Sequence, residues 1–290
     1  MAAPVLPAHS VLPSHATEVE RLIAACGDAV TRLAGDWRGL LGELADLGPV
    51  VAIPRNPQAV LEQRGHYPRG LVPDAQATEL GLRLELSRWH VGFANHLGPA
   101  PRVQFFDVFG SPVHAVALEP GGDVAAFDRL AERWAHEDQS RRQTFATRTP
   151  ASHPAELLIG RLAGAEHAIP VVGWSLGFVL EQAAAEALPV LIEVESPAAA
   201  QSFRGRVAIT RALGPWINVL DPRIALHVRR DRLADTWVVR RATSRGVEAT
   251  LEVLEGEGTP VVRVGSAADP GSVPERLWQR LLESLPVGRA

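Results

Sequence analysis

Apolar and polar residues alternate in several short stretches of the chain, and in others apolar residues recur at three- and four-residue steps. Val30, Leu33, Trp37, Leu40, Leu41, Leu44 and Leu47 form one apolar stripe of a helix over 30–47, and Gly48-Pro49 ends it. Residues 50–53 read as a short apolar strand. Leu80, Leu82, Leu84 and Leu86 share one face of the next strand, and Arg83 and Glu85 occupy the other. A strand over 103–109 turns at Gly110-Ser111-Pro112 into a return strand carrying Val113, Ala115 and Ala117. Val124, Phe127, Leu130 and Trp134 then mark a helix.

Residues 136–152 are polar, lack periodicity and read as a linker. Beyond them the same order of elements returns: a helix over 176–187, a strand over 189–194, and the alternation of Ile224, Leu226 and Val228. A strand over 236–240 follows, then a hairpin of 248–254 and 261–264 around Gly256-Glu257-Gly258, then a helix over 274–285 with Leu277, Leu281 and Leu285 on one stripe. An internal repeat of about 120–140 residues is too long for a solenoid unit. It predicts an α+β fold of two tandem repeats, each a large antiparallel sheet with flanking helices, and a ligand cleft between the halves. The expected boundaries are a disordered segment rich in proline and histidine over 1–16, a first repeat over 17–135, the linker over 136–152 and a second repeat over 153–290.

Composition narrows the chemistry. The 290 residues are 46% hydrophobic and 21% charged with a net charge of −4, as expected of a soluble globular chain. All 29 basic residues are arginine, which excludes a phosphate loop built on lysine and Schiff-base catalysis. A GC-rich genome accounts for that bias; a functional account would need guanidinium forks at positions that meet an anion. The single cysteine, Cys26, falls within a helical pattern and excludes a disulfide framework, a multi-cysteine metal site and an iron–sulfur centre. The proline-interrupted start does not read as a signal peptide, no apolar run is long enough to span a membrane, and mild acidity argues against nucleic acid. A cytoplasmic location is expected by elimination. Gly173-Trp174-Ser175-Leu176-Gly177 has the spacing of a hydrolase elbow, but its serine is flanked by large residues, no convincing strand precedes it, and the repeat makes Ser175 a helix cap.

Several stretches resemble one known family. They are Arg55-Asn56-Pro57-Gln58-Ala59-Val60-Leu61-Glu62-Gln63-Arg64-Gly65, Leu82-Arg83-Leu84-Glu85-Leu86-Ser87-Arg88-Trp89 and Gln104-Phe105-Phe106-Asp107 in the first half. In the second they are Gly214-Pro215-Trp216-Ile217-Asn218-Val219-Leu220-Asp221-Pro222, Leu226-His227-Val228 and Trp237-Val238-Val239-Arg240-Arg241. Together, over about residues 28–285, the chain resembles the cytoplasmic haem-utilisation proteins called haemin-degrading factors, the HemS/ChuX-like family, in their tandem-repeat form.

The resemblance implies one b-type haem, held non-covalently in the cleft. It makes His153 the axial ligand of the haem iron, a role that suits a neutral imidazole; without it, His153 is an ordinary loop histidine. It makes Arg83 the distal arginine, where the residues alone also allow a solvent-facing strand arginine paired with Glu85. Arg241 matches a propionate-binding position where lysine is common, and otherwise reads as a solubilising strand charge. Arg161 stands in for a helical arginine of relatives. Val264 and Ala267 replace a tyrosine and an arginine, Phe203 replaces a histidine, Glu85 replaces an apolar residue, and Pro154 departs from the pattern ahead of a shortened helical segment. His227, taken as the repeat-equivalent of Glu85, and His90 carry lesser roles, as do His66 and Tyr67 in a loop after Gly65. Trp216 reads as a buried anchor of its loop, with Asp221-Pro222 starting a turn. The implied function is haem binding in iron acquisition, trafficking haem or releasing its iron, with the cytoplasmic side of a haem importer or a haem oxygenase as partner. Reductant-dependent haem degradation by the protein itself is the alternative, as is a degenerate relative that no longer binds haem.

Overall fold

A computed structural model describes residues 17–69, 80–140, 143–147, 160, 162–196, 198–244, 246–255 and 260–288. The first repeat runs α1 (Glu18–Cys26), β1 (Val30–Leu33), α2 (Trp37–Glu43), β2 (Pro49–Pro54), β3 (Ala59–His66), β4 (Leu82–Leu84), β5 (Val91–Asn95), β6 (Arg102–Phe106), β7 (Pro112–Leu118) and α3 (Val124–Arg133). The second runs β8 (His167–Val171), α4 (Ser175–Ala185), β9 (Pro189–Ser196), β10 (Ala199–Arg206), β11 (Thr210–Leu213), β12 (Trp216–Leu220), β13 (Ile224–Arg229), β14 (Asp235–Thr243), β15 (Gly246–Leu254), β16 (Pro260–Ser266) and α5 (Val273–Glu283). The helix expected over 30–47 starts only at Trp37. Asp36 caps it by accepting from the Gly39 amide, and residues 30–33 pair with β5 as a strand instead.

Both repeats build the same sheet, and each completes the other's. The nine-stranded sheet runs β1-β5-β6-β7-β2-β3-β13-β12-β11, and the seven-stranded sheet runs β4-β10-β9-β16-β15-β14-β8. Read from β8, the second order is that of the first seven strands of the first sheet, which β12 and β11 extend, with a strand exchanged at the far end: β13 closes on β3, and β4 closes on β10. All pairings are antiparallel, and sequential pairs such as β2/β3 and β9/β10 are joined by tight turns. The register defines the equivalence. Pro49 faces His66 as Pro189 faces Arg206, and Val60 faces His227 as Ala200 faces Arg83. His227 is therefore the counterpart of Arg83, not of Glu85.

The exchanged strands seal the cores. Leu80, Leu82 and Leu84 are buried with Leu40, Leu44, Phe105 and Phe127 in the first repeat's core, while Leu226 and Val228 are buried with Val179, Ile192, Leu251 and Trp278 in the second's. Leu86 leaves the strand in a tight turn over Leu86–Arg88. Leu82 has no exposed surface, so Leu82→Ala is expected to cost about 2–5 kcal/mol through lost burial and a cavity, read as a lower urea midpoint at unchanged slope.

A polar knot ties the two sheets together. Asn56 is buried; its amide donates to the carbonyls of Glu195 (3.1 Å) and Val261 (2.8 Å), and its side-chain oxygen accepts from the amides of Gln58 and Ala59. Ser196 holds the Ala198 and Ala199 amides at the equivalent turn of the second repeat. Outside the first repeat's half of the nine-stranded sheet, α1 lays Val19 and Ile23 over Val91, Phe93 and Phe106. Cys26 is buried at the end of that helix.

Candidate functional site

The corresponding outer face of the seven-stranded sheet is built from charge. Residues directly opposed across an antiparallel ladder share a face, as do alternate residues along a strand. Arg83 on β4 opposes Ala200, which opposes Glu195 on β9. The next row is Ser202, Glu193, Arg263, Glu252 and Trp237. Leu191, Gly265, Thr250 and Val239 follow, and then Glu248 opposite Arg241. Trp237 holds the position of Phe93 in the first repeat, so the face that α1 covers there with apolar contacts carries ion pairs here.

Arg83, Arg263 and Arg241 each meet a carboxylate on this face, whereas Arg204, opposite Leu191, donates to the Ala267 carbonyl at 3.3 Å. Arg83 is the most exposed, at 55%, and lies 3.5 Å from Glu195. Glu85 instead accepts from the Ser87 hydroxyl, so the pairing expected between Arg83 and Glu85 is replaced by one across three strands. Arg263 reaches Glu193 at 3.8 Å and Glu248 at 3.4 Å. Arg241 donates to Glu252, a carboxylate whose side chain is only 2% exposed and which also accepts from Thr250 at 3.3 Å. Charged side chains in such burial persist only when paired and hydrogen-bonded.

Arg83 and Arg241 thus share one face, five strands apart and three rows along the strands, about 30 Å on a flat sheet at ~4.8 Å per strand and ~3.3 Å per residue. They do not touch. His153 and Arg161 lie outside the described residues. Other expectations are corrected by side-chain direction. Val264 is wholly buried in the second core, because alternation turns it away from Arg241; the residue that faces the site there is Arg263. Phe203 also points into that core, with the Arg223 guanidinium 5.5 Å from its ring. Tyr67 is buried in the first core and bonded to His114 at 3.0 Å, which removes it from any cleft. Trp216 is half-buried under Arg229 rather than enclosed. His227 is held by Asn218 at 2.7 Å. β8 does precede Ser175, but the serine is the helix's first residue, caps nothing, and has a buried hydroxyl with no partner among the described residues; no hydrolase elbow forms.

Sequence reasoning missed Arg263, Glu252 and Trp237. Val262-Arg263-Val264 and Leu251-Glu252-Val253 carry the same alternation that singled out Arg83 between Leu82 and Leu84. A groove of about 610 Å³ lies elsewhere, along the free edge of β1 between α1 and α3. It holds neither Arg83 nor Arg241, so the charged face rather than the groove is the candidate site. Among the described residues there is no cluster of His, Cys, Asp and Glu able to hold a metal ion, and no helix is long and apolar enough to cross a membrane.

The haemin-degrading HemS/ChuX domain matches residues 15–134 and again 155–285. The chain belongs to this family. Hemin transport protein HmuS of Yersinia pestis is 26% identical over 93% of this chain and 89% of its own length, and hemin transport protein HemS of Yersinia enterocolitica is 28% identical over 86% and 83%. Crystal structures of apo- and holo-PhuS, a haem-binding protein of Pseudomonas aeruginosa, superpose with a TM-score of 0.81 at 28% identity, covering 94% of this chain and 91% of theirs. As a HemS/ChuX member the chain carries both repeats of the full-length form, with strand exchange built in.

Proposed function

We propose that this protein binds one haem as cargo on the charged face of the seven-stranded sheet and handles it during haem uptake in the cytoplasm. The observation that carries the reading is the placing of Arg83 and Arg241, the two described residues matched to the family's haem contacts, on that one face. Haem is a flat apolar ring with two carboxylates. Arg241 and Arg263 offer guanidinium forks to the carboxylates, the half-buried Trp237 offers apolar surface beside them, and Arg83, more than half exposed, can hold a water or an oxygen species at the distal side. His153 supplies the axial nitrogen to the iron, and Arg161 a further cation near a propionate. The cargo is held without a thioether, since Cys26, the only cysteine, is buried at the end of α1 on the first repeat. Its donor is the cytoplasmic side of a haem importer and its acceptor a haem oxygenase or other consumer.

His153→Ala tests the ligand. The variant is expected to shift the Soret maximum and to weaken haem binding by at least about tenfold, the scale of losing an axial ligand bond. An unchanged spectrum and affinity would remove His153 from the site. Supplying reductant and oxygen with catalase present separates cargo handling from degradation: the Soret band of a carrier persists, whereas its loss with release of iron makes the protein an enzyme whose oxygen chemistry is the haem's own.

A further inference from the structure

Within that reading, one acidic residue stands where a ligand carboxylate belongs. Glu248 is the direct ladder partner of Arg241, and its Oε1 lies 3.4 Å from Nη2 of Arg263. It therefore sits between the two guanidinium groups best placed for haem propionates. Its carboxylate lies beside Gly265, where a Cβ would make ordinary contact with the same oxygen at 3.7 Å.

The two arginines are held differently. Arg241 is pinned from beneath by Glu252, a buried carboxylate that cannot leave without stranding its charge. Arg263 is charge-balanced but poorly bonded. Its contact with Glu193 is 3.8 Å, beyond hydrogen-bond range, its contact with Glu248 is at the limit, and its Nε–H is enclosed with no acceptor among the described residues. The Glu248 side chain is about one-third exposed, so it can swing into water at small cost, which the buried Glu252 cannot do.

We propose that Glu248 is an internal stand-in for a ligand carboxylate. It neutralises Arg263 while the site is empty and yields that guanidinium to an arriving propionate. The exchange replaces one long ion pair with a shorter bidentate one, and it gives Glu248 a selectivity role: ligands without a carboxylate gain nothing by displacing it. The alternative, that Glu248 merely positions Arg263, predicts the opposite sign on its removal.

The test compares haemin with haemin dimethyl ester, which lacks the carboxylates, in equilibrium titrations of the full chain. Glu248→Gln is expected to bind haemin about two- to fivefold more tightly, the scale of one partly exposed ion pair, and the ester unchanged. Arg263→Gln is expected to weaken haemin and leave the ester unchanged; thermal melts confirm that both variants fold. The stand-in role is overturned if Glu248→Gln binds haemin equally or more weakly, or if both ligands gain alike, while the wild type still binds haemin. Absence of saturable haemin binding by the wild type overturns the haem reading itself, and this role with it.

Discussion

Arg241→Ala is expected to destabilise the folded protein by about 3 kcal/mol, the low end of the range for breaking a buried ion pair from one side. The cost arises at Glu252. Its side chain is 2% exposed on β15, where water hardly reaches it. The Arg241 side chain keeps about a quarter of its surface in solvent and Thr250 remains as a donor, so the upper end of the range is not reached. Urea unfolding gives the number directly. Adding Glu252→Gln to the same chain is expected to recover most of the loss, because an amide does not carry the stranded charge. A single Arg241→Ala as stable as the wild type would mean that Glu252 does not depend on it. The consequence for function is practical. A loss of haem binding in Arg241→Ala mixes a weakened fold with a missing propionate contact, and only the Glu252→Gln background separates them.

Folding stability is expected to fall on acidification well before most carboxylates protonate, and the cause is His114. The ring is 1% exposed in the first core, among Tyr67, Trp89 and Phe105. Burial holds it neutral, with its pKa pushed down to about 3 from the ordinary 6.5. Burial also pushes the Tyr67 hydroxyl above its usual range, and the phenol shares a hydrogen bond with His114 Nε2. In the unfolded chain His114 takes a proton near pH 6.5; in the folded chain it does not until about pH 3. Below 6.5 the unfolded state therefore binds the extra proton. Stability is full above that pH and falls by about 1.4 kcal/mol per unit across the window down to 3, some 2–3 kcal/mol by pH 4.5. His114→Gln, which keeps a polar partner for Tyr67, is expected to flatten the dependence of urea midpoint on pH between 6.5 and 4.5. An equal slope in variant and wild type would assign the acid sensitivity elsewhere.

Alternation along the strands made the fold largely legible in the sequence, since a half-buried strand must separate its faces residue by residue. Leu82-Arg83-Leu84 shows it plainly: both leucines are enclosed and the arginine is out. The duplication was legible for the same reason. The exchange of β4 and β13 between sheets was not, because a strand's pattern records that one face is covered and not which repeat covers it. Helical periodicity overran its true start at Trp37, where the cap at Asp36 competes with the apolar spacing of Val30 and Leu33. In the site, Arg83 and Arg241 were found by resemblance. Arg263 and Glu252 needed the register, which turns Val264 inward and Arg263 outward. Tyr67 shows the limit of reading loops from composition: a tyrosine after Gly65 gives no sign of the buried histidine waiting for it forty-seven residues on.

A Soret-monitored titration of the purified apo-protein with haemin tests most directly the proposal that the charged face of the seven-stranded sheet seats one haem. The expected result is a hyperbolic or sharper rise that saturates at one haem per chain. A Soret signal that rises linearly without saturating, like that of haemin in buffer, would contradict it.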